Sequence, residues 1–422
     1  MRRPRVSTLI AAVSVSALAV SGFVDDAVAA PLPVAGSAFY TPPKPLPAGR
    51  NGDLVRRQPT RLMAGSPLAG LLSAAHATRI MYRSTDVHGA PMAVTGTVLT
   101  PSVRWRGRGP RPLVSLAIGT HGSADSCAPS RVLANGVEFD GSGSPWFEGQ
   151  VTDMAALLEK GVAIAVTDYQ GLGTPGVHTY LQPVPEAHAV LDAARAAIRL
   201  GAVAPTAPIG VWGYSQGGGA AAAAAEHSRR YAGELNLVGT VAGAPAVDPA
   251  AVLRGAAGDR GIMSGLGGMF VAGLIDGYPE LAPRIRALFN PTGRAYLRRV
   301  VQLCSFGALR EEHFKPTSAY TKSGATMIDA LESDPQIRAV LDSLVVGRIP
   351  PARPVLVMQS RHDDTVPPGP THRMVRSWRA GGATVRLVDV TTPLPKLTGV
   401  DHVAGMMDYP IAVDWLMGRF RG

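Results

Sequence analysis

Apolar and polar positions change rhythm along this chain. Residues 78–84 and 92–100 alternate apolar with polar around a turn at His88, Gly89 and Ala90, which is the pattern of an antiparallel pair at a sheet edge. Alternation then gives way to short unbroken apolar runs at 113–118, 162–167, 209–212, 237–242 and 354–359. Such runs are expected of strands covered on both faces. Helical patterns lie between several of them, at 151–160, 185–200 and 218–231, and a further helix is expected around 67–77. Alternating β and α units predict an α/β fold with a mostly parallel, doubly wound sheet. A late strand at 384–390 and a closing helix at 411–420 complete it.

The rhythm breaks between 242 and 354, where roughly a hundred residues read as mainly helical with no strong strand. Within them, 262–275 is apolar and glycine-rich and 283–303 is more basic. The organisation that follows is a core of 71–245 and 346–422 with a helical insertion at 246–345. Residues 30–70 form an amino-terminal arm, of which 30–60, with Pro31, Pro33, Pro42, Pro43, Pro45 and Pro47, reads as extended on the surface. Residues 1–29 have the layout of an export signal: Arg2, Arg3 and Arg5, an apolar run from Leu9 to Val20, and small residues at Ala27, Val28 and Ala29, after which the cut is placed. An uncleaved anchor is the alternative.

Composition adds three constraints. With 17% charged and 46% hydrophobic residues, the chain can bury a large core. Its formal charge of +10 fits an anionic lipid or cell-envelope surface. Nucleic acid is the rival partner, but no zinc-finger spacing or RNP-like motif accompanies the arginines, and the stretch 105–111 reads as a solvated loop. The only two cysteines, Cys127 and Cys304, are expected to join in an oxidising compartment, tying the loop after an early strand to the insertion.

The chemistry concentrates where a strand runs into Gly213, Tyr214, Ser215, Gln216 and Gly217 and then into an alanine-rich helix. A serine hydroxyl is a weak nucleophile, and a sharp strand-to-helix turn exposes it to a base, as in the nucleophile elbow of α/β-hydrolases. Those folds supply an acid and then a histidine later in the chain. Asp363, directly after an apolar strand, is preferred as the acid over Asp364, and His402 as the base over His362. Backbone N–H groups of Gln216 and, in the loop after 113–118, of His121 are the expected oxyanion donors, with Thr120 as second choice. Asp168 follows a strand too, but it precedes the serine and is assigned a structural role. No HExxH, paired Cys/His spacing, P-loop or GxGxxG unit is present, so neither metal nor cofactor is expected.

Taken together, Gly119–Gly122, Asp125 to Ser130, Asp168 to Gly173, Gly213 to Gly218, Asp363 to Pro367 and Asp401-His402 make the chain resemble the secretory lipase family over roughly residues 70–420. The resemblance implies an α/β-hydrolase with a helical cap before the acid strand, hydrolysing carboxylic esters, often triacylglycerols, through an acyl-serine without cofactor. Carried over by motif, the triad falls on Ser215, Asp363 and His402, with His121 and Gln216 at the oxyanion positions. His121 departs from the side chain expected at its position. The expectation is an exported esterase or lipase acting on a small-molecule or lipid ester. The alternatives are an envelope acyltransferase with the same residues, and a lipid- or envelope-binding protein without turnover.

Overall fold

The computed structural model describes residues 37–64, 66–255, 264–391 and 399–421. The expected export signal and the start of the arm lie outside them. Eleven strands occur among the described residues: β1 Leu54–Thr60, β2 Ala75–Thr85, β3 Pro91–Pro101, β4 Leu113–Ala117, β5 Glu138–Phe139, β6 Pro145–Trp146, β7 Ala163–Thr167, β8 Ile209–Tyr214, β9 Leu237–Gly243, β10 Val355–Gln359 and β11 Val385–Asp389. Nine form one sheet in the order β1-β2-β3-β7-β4-β8-β9-β10-β11, and β5 pairs only with β6. Pairing is antiparallel from β1 to β7 and parallel from β7 to β11.

The unbroken apolar runs follow from double coverage. Leu113, Ala163, Ala165, Ile209, Val211, Val355 and Val357 point into one core, while Val114, Leu116, Ile164, Val166, Trp212, Leu356 and Met358 alternate with them into another. The first core is closed by helices Pro183–Arg199 and Gln216–Tyr231, whose facing alanines let the two pack closely, and the second by Val151–Glu159 and Tyr409–Arg421. Each fully buried Val, Leu or Ile contributes about 1.5–3 kcal/mol, so both faces stabilise the sheet strongly.

Between β9 and β10 every regular element described is helical, from Pro249–Arg254 to Pro335–Ser343, around a core of its own that includes Phe270, Leu274, Ile285, Tyr296 and Leu331. Helix Ser264–Gly277 carries glycines because its neighbours approach closely: a Cβ on Gly268 would run into the Tyr296 ring, and one on Gly273 into the His178 carbonyl.

Two expectations near the amino terminus are corrected. Only Pro67–Leu72 is helical, as a 3-10 turn capped by Ser66, and the rest of 67–77 leads into β2, where Ala75 and Ala77 pair with Pro101 and Leu99. The arm is not wholly extended surface chain, since Leu54–Thr60 adds an edge strand to β2. Pro59 is tolerated there because an edge strand can do without its N–H.

Candidate active site

β8 ends at Tyr214, and Ser215 turns the chain at φ 60°, ψ −120° before helix Gln216–Tyr231 begins. A non-glycine residue at positive φ costs on the order of 1–3 kcal/mol and must be held by its surroundings. Here the Ser215 N–H donates to the Gly243 carbonyl (2.9 Å), and the Ser215 carbonyl accepts from Gly219 and Ala246 (3.0 and 3.2 Å). The glycines are steric necessities: a Cβ on Gly213 would strike the Gly217 carbonyl, on Gly217 the Ala117 carbonyl, and on Gly218 the Gly243 carbonyl.

Asp363 lies four residues past β10, with one carboxylate oxygen accepting the N–H groups of Thr365 and Val366 (3.0 and 2.8 Å). Its other oxygen faces His402 Nδ1 at 2.8 Å and accepts from Gln359 Nε2 at 3.3 Å. His402 Nε2 lies 3.0 Å from Ser215 Oγ. Three residues from distant parts of the chain therefore meet in the order required for proton transfer from hydroxyl to imidazole. His402 does not sit on a loop, as expected, but in the short helix Val400–Gly405. Gly399, at φ 77°, opens that helix, Asp364 accepts its N–H (2.9 Å), and the Tyr214 hydroxyl donates to the His402 carbonyl (2.6 Å). Asp364 thus orients the helix while Asp363 faces the ring. His362 is exposed.

The loop Gly119–Gly122 follows β4. Cys127 and Cys304 form a disulfide, with Cα atoms 5.5 Å apart. Around it, Ser305 N–H donates to the His121 carbonyl (2.9 Å), Ser305 Oγ to the Thr120 carbonyl (3.0 Å) and Ser123 N–H to the Leu303 carbonyl (3.0 Å). Gly122 adopts φ 126°, and a Cβ there would clash with the Cys304 backbone. The Gly119 N–H donates to Gln150 Oε1 (2.9 Å).

Two polar clusters at the site have no counterpart among the sequence expectations. The buried His121 ring places Nδ1 2.8 Å from the Cys127 carbonyl and Nε2 3.2 Å from Glu148 Oε2. Burial pulls this imidazole's pKa down, but the charge and hydrogen bond of Glu148, with the Cys127 carbonyl, outweigh it and leave the pKa raised. The Gln216 amide nitrogen donates to Glu186 Oε1 (2.7 Å) and faces His178 Nε2 (2.8 Å). Burial pushes Glu186 up to about 8 and His178 down to about 4, so both are neutral near pH 7. Their one sequence signal is a polar identity inside otherwise apolar stretches. Asp168 is fully buried and accepts from Ser130 N–H and Thr95 Oγ1, both at 2.7 Å.

Ser215, His402, Thr120 and His121 border one cavity of about 270 Å³, otherwise lined largely by apolar side chains such as Phe147, Leu181, Leu253 and Val366. Among the described residues no group of His, Cys, Asp and Glu is arranged to hold a metal ion.

Residues 148–422 match the secretory lipase family. The chain belongs to that family. A protein named as a probable inactive lipase from Mycobacterium tuberculosis is 30% identical over 93% of this chain and 83% of its own length. Lipase A of Arthroderma benhamiae is 27% identical over 93% and 81%. Among solved structures, Candida antarctica lipase A in its closed state superimposes with a TM-score of 0.74 at 19% identity, over 90% of this chain and 85% of that one. A rice cell wall degrading esterase from Xanthomonas oryzae gives 0.70 at 19%, over 88% and 100%. These likenesses establish the α/β-hydrolase fold, and the family makes ester hydrolysis the activity to which this secretory lipase chain is related. Family and disulfide together suit an extracellular protein, and no described helix is long and apolar enough to cross a membrane.

Proposed function

We propose that this secretory lipase is an exported serine esterase or lipase acting on acylglycerols or related lipid esters, with Ser215 as nucleophile, His402 as base and Asp363 as the acid that orients it. The observation that carries this reading is the contact of His402 Nε2 with Ser215 Oγ at 3.0 Å while Nδ1 faces Asp363 at 2.8 Å. In the tautomer with Nδ1–H donated to Asp363, Nε2 has its lone pair toward the serine. It takes the hydroxyl proton as Oγ attacks the ester carbonyl, and it returns that proton to the leaving alcohol. Water, deprotonated by the same nitrogen, releases the acyl group. N–H groups of Gln216 and His121 receive the charge that develops on the carbonyl oxygen.

The apolar cavity supports an acyl substrate, and exposed Phe147 and Val403 at its wall support a lipid-facing mouth. Leu253, Leu266 and Leu309 contribute to the same cavity, which supports a cap role for the segment between β9 and β10. Residues 1–29 serve as the export signal in this reading.

A binding protein without turnover is the second reading, favoured by the relative named as a probable inactive lipase. Hydrolysis of p-nitrophenyl esters separates the two. The native chain should turn them over and accept a fluorophosphonate at Ser215, and Ser215→Ala should lose both with folding intact. Equal turnover by the alanine variant would refute the serine mechanism, and no labelling of the native chain would favour binding alone. Product analysis with an added alcohol distinguishes water from alcohol as acyl acceptor.

A further inference from the structure

A group of basic residues gathers away from Ser215. A cavity of about 570 Å³ is lined by Arg104, Arg106, Arg108, Lys160 and Arg421, with Glu159 its one carboxylate among the described residues. All five cationic residues are exposed. None takes part in an ion pair among the described residues. Like charges converging on one concavity repel each other and raise its positive potential, which an anion would relieve.

Residues 105–111 form a loop exposed at Arg106, Arg108, Gly109 and Pro110, as expected, but its first residue is buried and anchors it, so this wall of the cavity is built rather than loose. Trp105 is only 9% exposed and packs in the same core as Leu158, Val162 and Met417. Its indole N–H points to the Arg108 carbonyl at 3.4 Å, and Gly107 folds so closely over the ring that a Cβ would collide with it. The Arg111 guanidinium donates to the carbonyls of Val103 (3.0 Å) and Gly161 (2.8 Å), fixing the loop to the turn after helix Val151–Glu159. The buried indole anchors the loop, and Arg104, Arg106 and Arg108 project from it at every second position.

We infer that this cavity is a binding site for a phosphoryl-bearing polyanion, carried by a lipid headgroup or present as a free oligophosphate. Guanidinium groups match phosphate oxygens in paired, charge-assisted hydrogen bonds, and several around one concavity suit clustered phosphates better than a lone carboxylate. The volume lies in the range of small-ligand sites. The loop and Lys160 sit at the amino ends of β4 and β7, where the Ala163 N–H donates to the Pro112 carbonyl, whereas Ser215 follows the carboxyl end of the parallel strand β8. An anion bound here leaves the Ser215 cavity open, so the site is independent of the proposed catalysis.

Titration calorimetry of the full chain with tripolyphosphate tests this. The comparison is between Arg104→Gln/Arg106→Gln/Arg108→Gln and a control, Arg229→Gln/Arg230→Gln/Arg386→Gln, which removes the same charge from exposed positions elsewhere. The native chain should bind saturably and more weakly as salt rises, the cavity variant should lose about tenfold or more in affinity, and the control should lose less than about twofold. Absence of saturable binding, or equal losses in both variants, would overturn the site. Sedimentation with phosphatidylglycerol but not phosphatidylcholine vesicles, lost in the cavity variant, assigns the headgroup as source. Tripolyphosphate binding without vesicle sedimentation assigns a soluble phosphate. Ser215→Ala should bind as the native chain does.

Discussion

The elbow at Ser215 and the loop Gly119–Gly122 border the same cavity but are held there by different parts of the molecule. The elbow is fixed within the parallel sheet: Gly213, Gly217 and Gly218 lie against carbonyls of the elbow itself, β4 and β9, and the Ser215 N–H is bonded to Gly243. The loop is fixed from outside the sheet, by Leu303, Cys304 and Ser305 of the helical segment on one side and by Glu148 and Gln150 on the other. The position of the Ser215 hydroxyl is therefore a property of the sheet, whereas that of the loop proposed to supply an oxyanion donor is shared between the sheet and the segment docked on it. Perturbations should separate the two.

The largest effect expected lies on the elbow side. Asp363→Asn should lower kcat for p-nitrophenyl esters by about four orders of magnitude, because an amide in that place favours the wrong tautomer of His402. Its fold should survive, since Asn can still accept the Thr365 and Val366 N–H groups. Circular dichroism with steady-state kinetics checks both, and native-like kcat would remove Asp363 from the mechanism.

Opening the disulfide addresses the other side. Cys127→Ser/Cys304→Ser should cost about 2–5 kcal/mol of stability in urea unfolding, since the bridge spans 177 residues. Activity should fall by about ten- to a hundredfold through the loosened loop, with the His402–Ser215 pairing retained. An unchanged kcat in the folded variant would show that the remaining hydrogen bonds hold the loop unaided.

A smaller effect concerns the cluster behind Gln216. Burial raises the Glu186 pKa to about 8 in the folded state, above its ordinary 4.5. The folded chain therefore binds more protons than the unfolded one between these values, so Glu186's contribution is fully present below about 4.5 and is lost as pH rises through about 8. Glu186→Gln keeps an acceptor for Gln216 and the Leu181 N–H and removes the titration. Its stability relative to the native chain should rise, by a few kcal/mol at most, on going from about pH 5 to about pH 9. A pH-independent difference in melting temperature would contradict a neutral buried carboxyl.

The same division between local and remote constraint explains what was legible beforehand. Strands β4, β7, β8, β9 and β10 are legible because coverage on both faces demands unbroken apolar runs, and the elbow because its strand, its glycines and the helix that follows lie in one continuous stretch of sequence, although Gly217 and Gly218 answer carbonyls of the distant β4 and β9. β1 was hidden because Pro59 and the charged residues of an edge strand carry no buried-strand pattern. The sequence places His402 on a loop because the helix holding it is short and begins at a left-handed glycine, fixed by Asp364 from another part of the chain. Trp105 reads as part of a solvated stretch because its arginine neighbours mask a ring that turns inward. Glu148 gave no signal at all, since its pairing with His121 exists only once a separate loop folds over the end of β4.

Glu148 also allows the finest separation of the two regions. Both nitrogens of the His121 ring face acceptors, the Cys127 carbonyl and the Glu148 carboxylate, so the pair is satisfied by an imidazolium beside a carboxylate. Glu148→Gln keeps the volume and a hydrogen bond but withdraws the charge. It should lower kcat by about tenfold with little change in KM, and should leave the elbow, and hence the folded structure, intact. A histidine whose folded pKa is raised contributes stability that is fully present below about 6.5 and is lost as pH rises through the folded value. The stability gap between native and Glu148→Gln chains should therefore be widest in mild acid and narrow toward alkaline pH, as read by melting curves across that range. A gap that widened instead would mean that the carboxylate does not hold the proton on His121. The loop would then owe its position to the disulfide and the Ser305 contacts alone.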